Sequence, residues 1–221
     1  MIKLFKSHSS IGKSILTIDR IFQLADDEVV LVEDSMSGFR TAKKLSKKTN
    51  KPLRFGLRLE TVSDGGPSKV IYFAKNSDGA RALRNIYTKA FTTNAGVYKL
   101  DKNDLNNIQV VIPFYDSYIH RNIHNFGSHE LDLDSLGTIY LNEDNHHPFD
   151  YQIKSAMKDQ KIESLAAKSI YYEKKEDFPA FQFYKSTCNR KYSGKPASYE
   201  RPELKECCSD EFCLEAIENN P

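Results

Sequence analysis

The pentapeptide Ser10-Ile11-Gly12-Lys13-Ser14 ends as a phosphate-binding loop ends, in Gly-Lys-Ser. That loop needs a second glycine six residues before the lysine, and Ser7 occupies the position. Without it the backbone N–H groups cannot close around a phosphate, and the residues ahead of the loop make a poor buried strand, so nucleotide binding is not expected. Cys207 and Cys208 are adjacent, Cys213 follows after a four-residue gap, and Cys188 lies upstream. Zinc ligands come in more regularly spaced pairs, and reduced thiols in a helical tail are the expectation. His146 and His147 lie beside Glu143, Asp144 and Asp150. These types can ligate a metal, but a polar, solvated loop is the expectation. His120 and His124 are four apart with no glutamate of an H-E-x-x-H motif between them, which suggests one exposed helix face.

Charge is unevenly distributed. Arg40, Lys43, Lys44, Lys47, Lys48, Lys51 and Arg54 form a run without an acid, whereas nine acids between Asp101 and Asp150 face only Lys102 and Arg121. The basic run reads as a solvated helix face. Its sharper reading is a stripe contacting phosphates or a partner. No aromatic interleaves the lysines, which argues against single-strand recognition by stacking.

The elements that would position these groups alternate in period. Asp19 caps a helix carrying Ile18, Ile21, Phe22 and Ala25, and Val29 to Val32 is a buried strand. Phe39, Ala42 and Leu45 mark the basic helix. Arg54 to Val62 and Lys69 to Ala74 are strands around the turn Ser63-Asp64-Gly65-Gly66-Pro67. A helix from Asn76 buries Leu83, Ile86, Tyr87 and Ala90. Strands at 108–114, 138–141 and 170–172, a helix after Asp150, and a helix from Glu176 to Thr187 complete the series. Alternation of this kind predicts an α/β domain with a mostly parallel sheet, either a barrel or a doubly wound sheet. Residues 1–187 form that body. Residues 188–221, bracketed by Gly194, Pro196, Pro202 and Pro221, are read as a C-terminal extension packed on it.

The chain has 221 residues, 39% of them hydrophobic and 28% charged, with a net charge of +2. That composition is globular rather than disordered. No apolar run is long enough for a transmembrane helix, and the start lacks a signal-peptide pattern. No membrane association and a cytoplasmic location are expected.

Read in order, the segments resemble the PHP (polymerase and histidinol phosphatase) domain that begins the alpha subunit of bacterial DNA polymerase III. Val70 to Ala90, VIYFAKNSDGARALRNIYTKA, is similar to that family's LVLLAKNEEGYRNLMKLVSLA strand and helix. Lys51-Pro52-Leu53-Arg54-Phe55-Gly56 resembles IKPIIG, Ile170 to Asp177 resembles VHYLEKED, and Ser209-Asp210-Glu211-Phe212 resembles the DEFYLKS run that closes the domain. The series covers nearly the whole chain and implies a distorted (β/α)7 barrel.

Active members of the family hold two or three metals with His, Asp and Glu at the C-terminal ends of the strands. By that resemblance the opening His-x-His falls on Leu4 and Lys6, and Thr-Asp-His on Glu33-Asp34-Ser35, which keeps only the Asp. Gly-x-Glu falls on Gly56-Leu57-Arg58. A further His falls near Lys69, and the late Asp-x-His falls on Ser169 and Tyr171. His8 and Glu60 lie two positions from expected ligands, on the same face if the strands continue. Lys6, Arg58 and Lys69 would bring cations where metals belong. Such a cleft would either bind phosphate or an acidic side chain, or pair internally with Asp34 and Glu33.

The resemblance therefore implies a non-catalytic PHP-like scaffold, without metal or other cofactor, docking to a replicative polymerase subunit on another chain. The chain closes where the PHP domain closes, with no room for a polymerase palm. The aromatics Phe178, Phe181, Phe183 and Tyr184, with residues 188–221, are the expected docking face. One alternative is a divergent zinc- or manganese-dependent phosphoesterase or proofreading exonuclease using His8, Asp34, Glu60 and His146 or His147. Another is a module binding DNA weakly and non-specifically through Arg40, Lys43, Lys44, Lys47, Lys48 and Lys51.

Overall fold

The computed structural model describes residues 1–63, 66–93, 96–125, 137–146, 150–188 and 209–218. In chain order they form β1 (Ile2–Phe5), α1 (Ile18–Leu24), β2 (Val29–Glu33), α2 (Phe39–Thr49), β3 (Leu53–Ser63), β4 (Gly66–Ala74), α3 (Ser77–Thr93) and β5 (Val97–Lys99). These are followed by β6 (Ile108–Ile112), α4 (Tyr118–Asn125), β7 (Ile139–Glu143), α5 (Asp150–Asp159), β8 (Ser164–Ile170), α6 (Phe178–Cys188) and α7 (Glu215–Glu218). Among them no helix is long and apolar enough to cross a membrane.

The strands hydrogen-bond in the order β2-β1-β8-β7-β6-β4-β3-β5, and a further β2–β3 pairing closes the ring. Seven strands thus make a barrel, and β5 stands outside it. The long β3 explains this: Leu53 to Leu57 pair with β2, and Glu60 to Val62 pair with β5.

The barrel is a mixed α/β structure and departs from a regular (β/α)7 repeat. No helix separates β3 from β4; the two pair antiparallel from Ser63↔Gly66 to Gly56↔Phe73. The Asp64-Gly65 pair between them is a hairpin signature, although those two residues lie outside the described ones. β4 is also antiparallel to β6, whereas the remaining barrel pairings are parallel.

Alternating residues fill two sides of the barrel wall. Leu4, Val32, Ile71, Val111, Leu141 and Ala167, one from each of six strands, pack together inside. β3 contributes Gly56 to this layer, because a Cβ there would lie 2.7 Å from the Phe73 ring and 2.9 Å from Ile71. Outside, α1 and α2 cover Phe5, Leu31 and Phe55, while α3, α5 and α6 cover Leu57, Tyr72, Val110 and Tyr172.

Several elements differ from the sequence expectation. Ile2–Phe5 is a strand at the seam of the barrel, paired with both β2 and β8, where the sequence reads as a poor buried strand. Thr17, not Asp19, caps α1, its hydroxyl accepting from Arg20 N at 3.2 Å. The last strand is Ser164–Ile170, so Tyr171 and Tyr172 leave the sheet. His120 is buried against Tyr115, with ring centroids 6.2 Å apart, and does not lie on an exposed face. The side chain of His124, and Cys207, Cys208, His147, Gly194, Pro196, Pro202 and Pro221, lie outside the described residues.

Residues 209–218 pack tightly on the body. Phe212, Cys213, Leu214 and Ala216 are buried, Tyr172 bridges Cys213 in parallel, and Tyr171 N donates to Phe212 O at 3.0 Å. Burial pushes the Cys213 thiol up from its ordinary pKa. Of the four aromatics expected to dock a partner, Phe181 is buried, stacked near Tyr171 and Tyr172 with centroids 6.1 and 5.1 Å away. Phe178 packs on Tyr172, and the Tyr184 hydroxyl accepts from Gly12 N at 3.3 Å. Phe183 alone of the four is exposed.

Candidate functional site

The C-terminal ends of β1, β2, β6, β7 and β8 meet at one mouth of the barrel, the usual place for chemistry in parallel α/β folds. Each chain leaves its strand there carrying polar side chains. β1 delivers Lys6 and Ser7, β2 Glu33 and Asp34, and β6 Tyr115 and Asp116. β7 delivers Glu143, and β8 delivers Ser169 and Tyr171. Arg58 joins them from β3. Leu4, Lys6, Arg58, Tyr115, Glu143 and Ser169 line a cavity of about 20 Å³, room for about one water.

Charges at this mouth are satisfied from within. The Lys6 ammonium, its side chain 4% exposed, lies 2.7 Å from Asp34 Oδ1. Arg58 sits 3.5 Å from Asp116 Oδ2 and donates to Tyr115 O at 3.1 Å. Glu33 accepts from Ser7 N at 3.0 Å and from the hydroxyls of Ser7 and Ser10. Glu143 accepts from Ser169 N at 2.9 Å, Ser169 Oγ at 3.0 Å and Asn145 Nδ2 at 3.0 Å. Asn145 and Asp150 continue the network to the Tyr115 hydroxyl at 3.2 and 3.0 Å.

Burial pushes the carboxyls of Glu33 and Glu143 above the ordinary glutamate range. Their hydrogen bonds, and the Lys6 and Arg58 charges respectively, oppose that shift without cancelling it. Desolvation, with the neighbouring Glu143 and Asp150 charges, raises the Tyr115 phenol well beyond its usual value. The mouth therefore favours neutral or paired groups.

A divalent metal does not fit this donor set. The carboxylates that would ligate it already hold an ammonium, a guanidinium or several N–H and O–H donors. A divalent ion about 4 Å from either Lys6 or Arg58 would be repelled by about 8 kcal/mol at an effective dielectric of about 20. Among the described residues no group of three or more His, Cys, Asp and Glu is arranged to hold a metal ion.

The structure brings Leu4, Lys6, Arg58, Ser169 and Tyr171 to one cavity, with Asp34 beside it. The other expected site residues lie apart. Lys69 pairs with Glu60 at 3.4 Å, and Arg121 grips the same carboxylate at 2.7 Å, so the cavity lining holds two cations rather than three. Ser35 bonds Ser37 at 2.7 Å, out of the mouth. His8 is exposed, because β1 ends at Phe5 and the alternation that would have turned His8 inward stops there. His146 opens onto a separate cavity beside Asp144, Lys168 and Glu211.

Asp116, Tyr115, Asn145, Ser7 and Ser10 were not among the expected site residues, and Glu143 was read as part of a solvated loop. The available signal was position: Tyr115-Asp116 follows the IQVVIPF run and Glu143 ends the next strand, both where parallel strands deliver functional groups.

The basic run divides. Arg40, Lys43, Lys44, Lys47 and Lys48 are exposed on α2. Lys51 is engaged elsewhere: its ammonium donates to Phe22 O at 2.9 Å and Ala25 O at 2.5 Å, the unsatisfied carbonyls at the end of α1. Arg54 pairs with Glu28 at 2.6 Å.

No family model matches the chain, and no curated protein matches it. Among solved structures it is similar to a crystal structure from Bifidobacterium adolescentis assigned as a metal-dependent phosphoesterase. The identity is 10% and the TM-score 0.44, over 75% of this chain and 86% of that one.

Proposed function

We propose that this chain is a PHP-like barrel that works through its surface rather than by metal-dependent hydrolysis, docking to a replicative polymerase on another chain. The observation that carries the non-catalytic reading is the substitution of ion pairs for ligands at the strand ends, Lys6 with Asp34 at 2.7 Å and Arg58 with Asp116 at 3.5 Å. A hydrolytic centre needs anionic oxygens and imidazoles free to hold cations and generate hydroxide. Here the oxygens are spent on neighbouring side chains, and the enclosed space is too small for a phosphate ester. The ordered resemblance from Lys51 through Phe212 supports the polymerase III setting.

Two measurements test this. Protein purified without chelator and then supplied with zinc or manganese should carry no stoichiometric metal and leave phosphodiesters intact. Bound metal, with hydrolysis abolished by Asp34→Ala or Glu143→Ala, would establish the phosphoesterase alternative instead. Affinity purification from native cells should recover a polymerase chain. Recovery of the protein alone, under conditions that preserve replication complexes, would remove the docking reading.

A further inference from the structure

We infer that α2 and the adjoining turn of α3 form a binding face for a nucleic-acid phosphate backbone, an inference independent of the polymerase reading. Arg40, Lys43, Lys44, Lys47 and Lys48 recur at helical spacing, so they stand on one side of α2, and all are exposed. The helix contains no acid. Among the described residues none of the five has an ion-pair partner, whereas Lys3, Lys6, Arg20, Arg54, Arg58, Lys69, Lys89 and Arg121 all have one.

The stripe is extended from a second element. The Phe39 ring lies 5.9 Å from Lys43 Nζ and 5.9 Å from the Arg84 guanidinium. Arg84, exposed on α3, is thereby held beside α2 through a shared aromatic face. Six cations on two elements make the face continuous across the gap between helices.

The chemistry of the face favours one partner class. A membrane-binding helix must offer apolar side chains to the acyl boundary, but Ala42 is buried and Phe39 and Leu45 pack on the core. An acidic protein partner would be expected to find apolar or aromatic anchors between the charges, whereas the aromatic between Lys43 and Arg84, Phe39, packs on Phe55 and the core. A regular polyanion needs only repeated cations. From Arg40 to Lys48 the stripe runs about 12 Å, the span of about three to four phosphates on one strand of a duplex.

Fluorescence anisotropy with duplex DNAs of unrelated sequence tests the inference. Affinity should be indifferent to sequence and fall with a log–log salt slope of about −3, or about 60-fold between 50 and 200 mM salt. Replacing Lys43, Lys44, Lys47 and Lys48 by Gln should remove most of the binding and flatten the slope, with the melting temperature preserved. Arg84→Gln alone should weaken binding and lower the slope by about one. Lys51→Gln should leave binding unchanged, since that ammonium is engaged with α1. A sequence-selective or salt-insensitive interaction, binding retained by the fourfold Gln variant, or capture by phosphatidylserine vesicles or polyglutamate in place of DNA would overturn it.

Discussion

Lys6 and Lys47 are the same side chain in opposite circumstances. Lys6 is 3% exposed and holds Asp34 at 2.7 Å; Lys47 stands in water on α2 with no acid in reach. Around Lys6, the described charges at the barrel mouth have been given partners from the ends of β1, β2, β3, β6, β7 and β8. Around Lys47, four more cations of one helix have been left without one. The difference follows from solvation. A charge removed from water needs a designated neighbour, and losing that neighbour is expensive. A charge in water costs little to leave unpaired and is available to something outside the molecule. The mouth therefore spends its charge on architecture, and the helix keeps its charge for contact.

The comparison breaks most visibly at Arg58. Arg58→Ala leaves Asp116 without its cation and removes a positive charge that favours ionised Glu143. A loss of about 3–5 kcal/mol is expected in urea unfolding. A loss below about 1 kcal/mol would mean that the mouth is as well solvated as the helix.

Lys6→Met should cost less, about 2 kcal/mol, because the Asp34 side chain is 36% exposed and can turn to water. Adding Asp34→Asn should recover part of that loss, since removing both partners leaves no orphan charge. A double variant weaker than the sum of the two single changes would contradict the pairing.

The pH dependence sharpens the contrast further. Glu33 and Glu143, raised by burial, keep their protons to higher pH in the fold than in the unfolded chain. Their contribution to stability therefore falls as pH rises from about 4.3 through their raised values, and mild acidification from neutrality should stabilise the protein through them. Surface carboxylates act oppositely: Asp26, hydrogen-bonded to Lys3, and Glu173, hydrogen-bonded to Arg20, are lowered. Their contribution is lost as pH falls through those lowered values. Chemical denaturation across pH 4–7 should show a shallower neutral limb for Glu33→Gln than for the wild type. An unchanged limb would place the titration elsewhere.

The smallest effect belongs to the helix. Lys47→Gln and Lys48→Gln should each change stability by no more than about 0.5 kcal/mol. A larger loss would show that the stripe has structural duties and would blur the distinction.

Much of this was legible in the chain. VVLVE and IQVVI are short runs dominated by β-branched residues, and a strand buried on both faces has that signature wherever it folds. The helix opening at Asn76 was legible for the same reason, since Leu83, Ile86 and Ala90 share one face. β1 was hidden because only four residues define it, one apolar before a lysine and two after; its strength comes from neighbours on both edges, which are remote in sequence. The antiparallel β4 was hidden because period-two patterning has no direction. At the mouth, Lys6, Arg58 and Ser169 were reached through the resemblance, whereas Ser7, Ser10 and Asn145 were not. Their roles consist of hydrogen bonds to Glu33 and Glu143, and such bonds exist only once the strands are side by side.

The seam between β1 and β8 sets a timetable for the newborn chain. Ile2 pairs with Ala167 and Phe5 with Ile170, and Phe212 still has to stack on Tyr171 behind them. At ribosomal rates of about 5–20 residues per second, about 10–40 s separate the emergence of β1 from that of Phe212. Throughout that interval Leu4 and Phe5, buried on opposite sides of the finished barrel wall, have β2 as their strand partner while β8 is still to come. Closing so long a loop also places an entropic toll on the last step. β1 is thus secured only when β8 and Phe212, more than 160 residues later in the chain, come to it, and until then the barrel stands open at that seam.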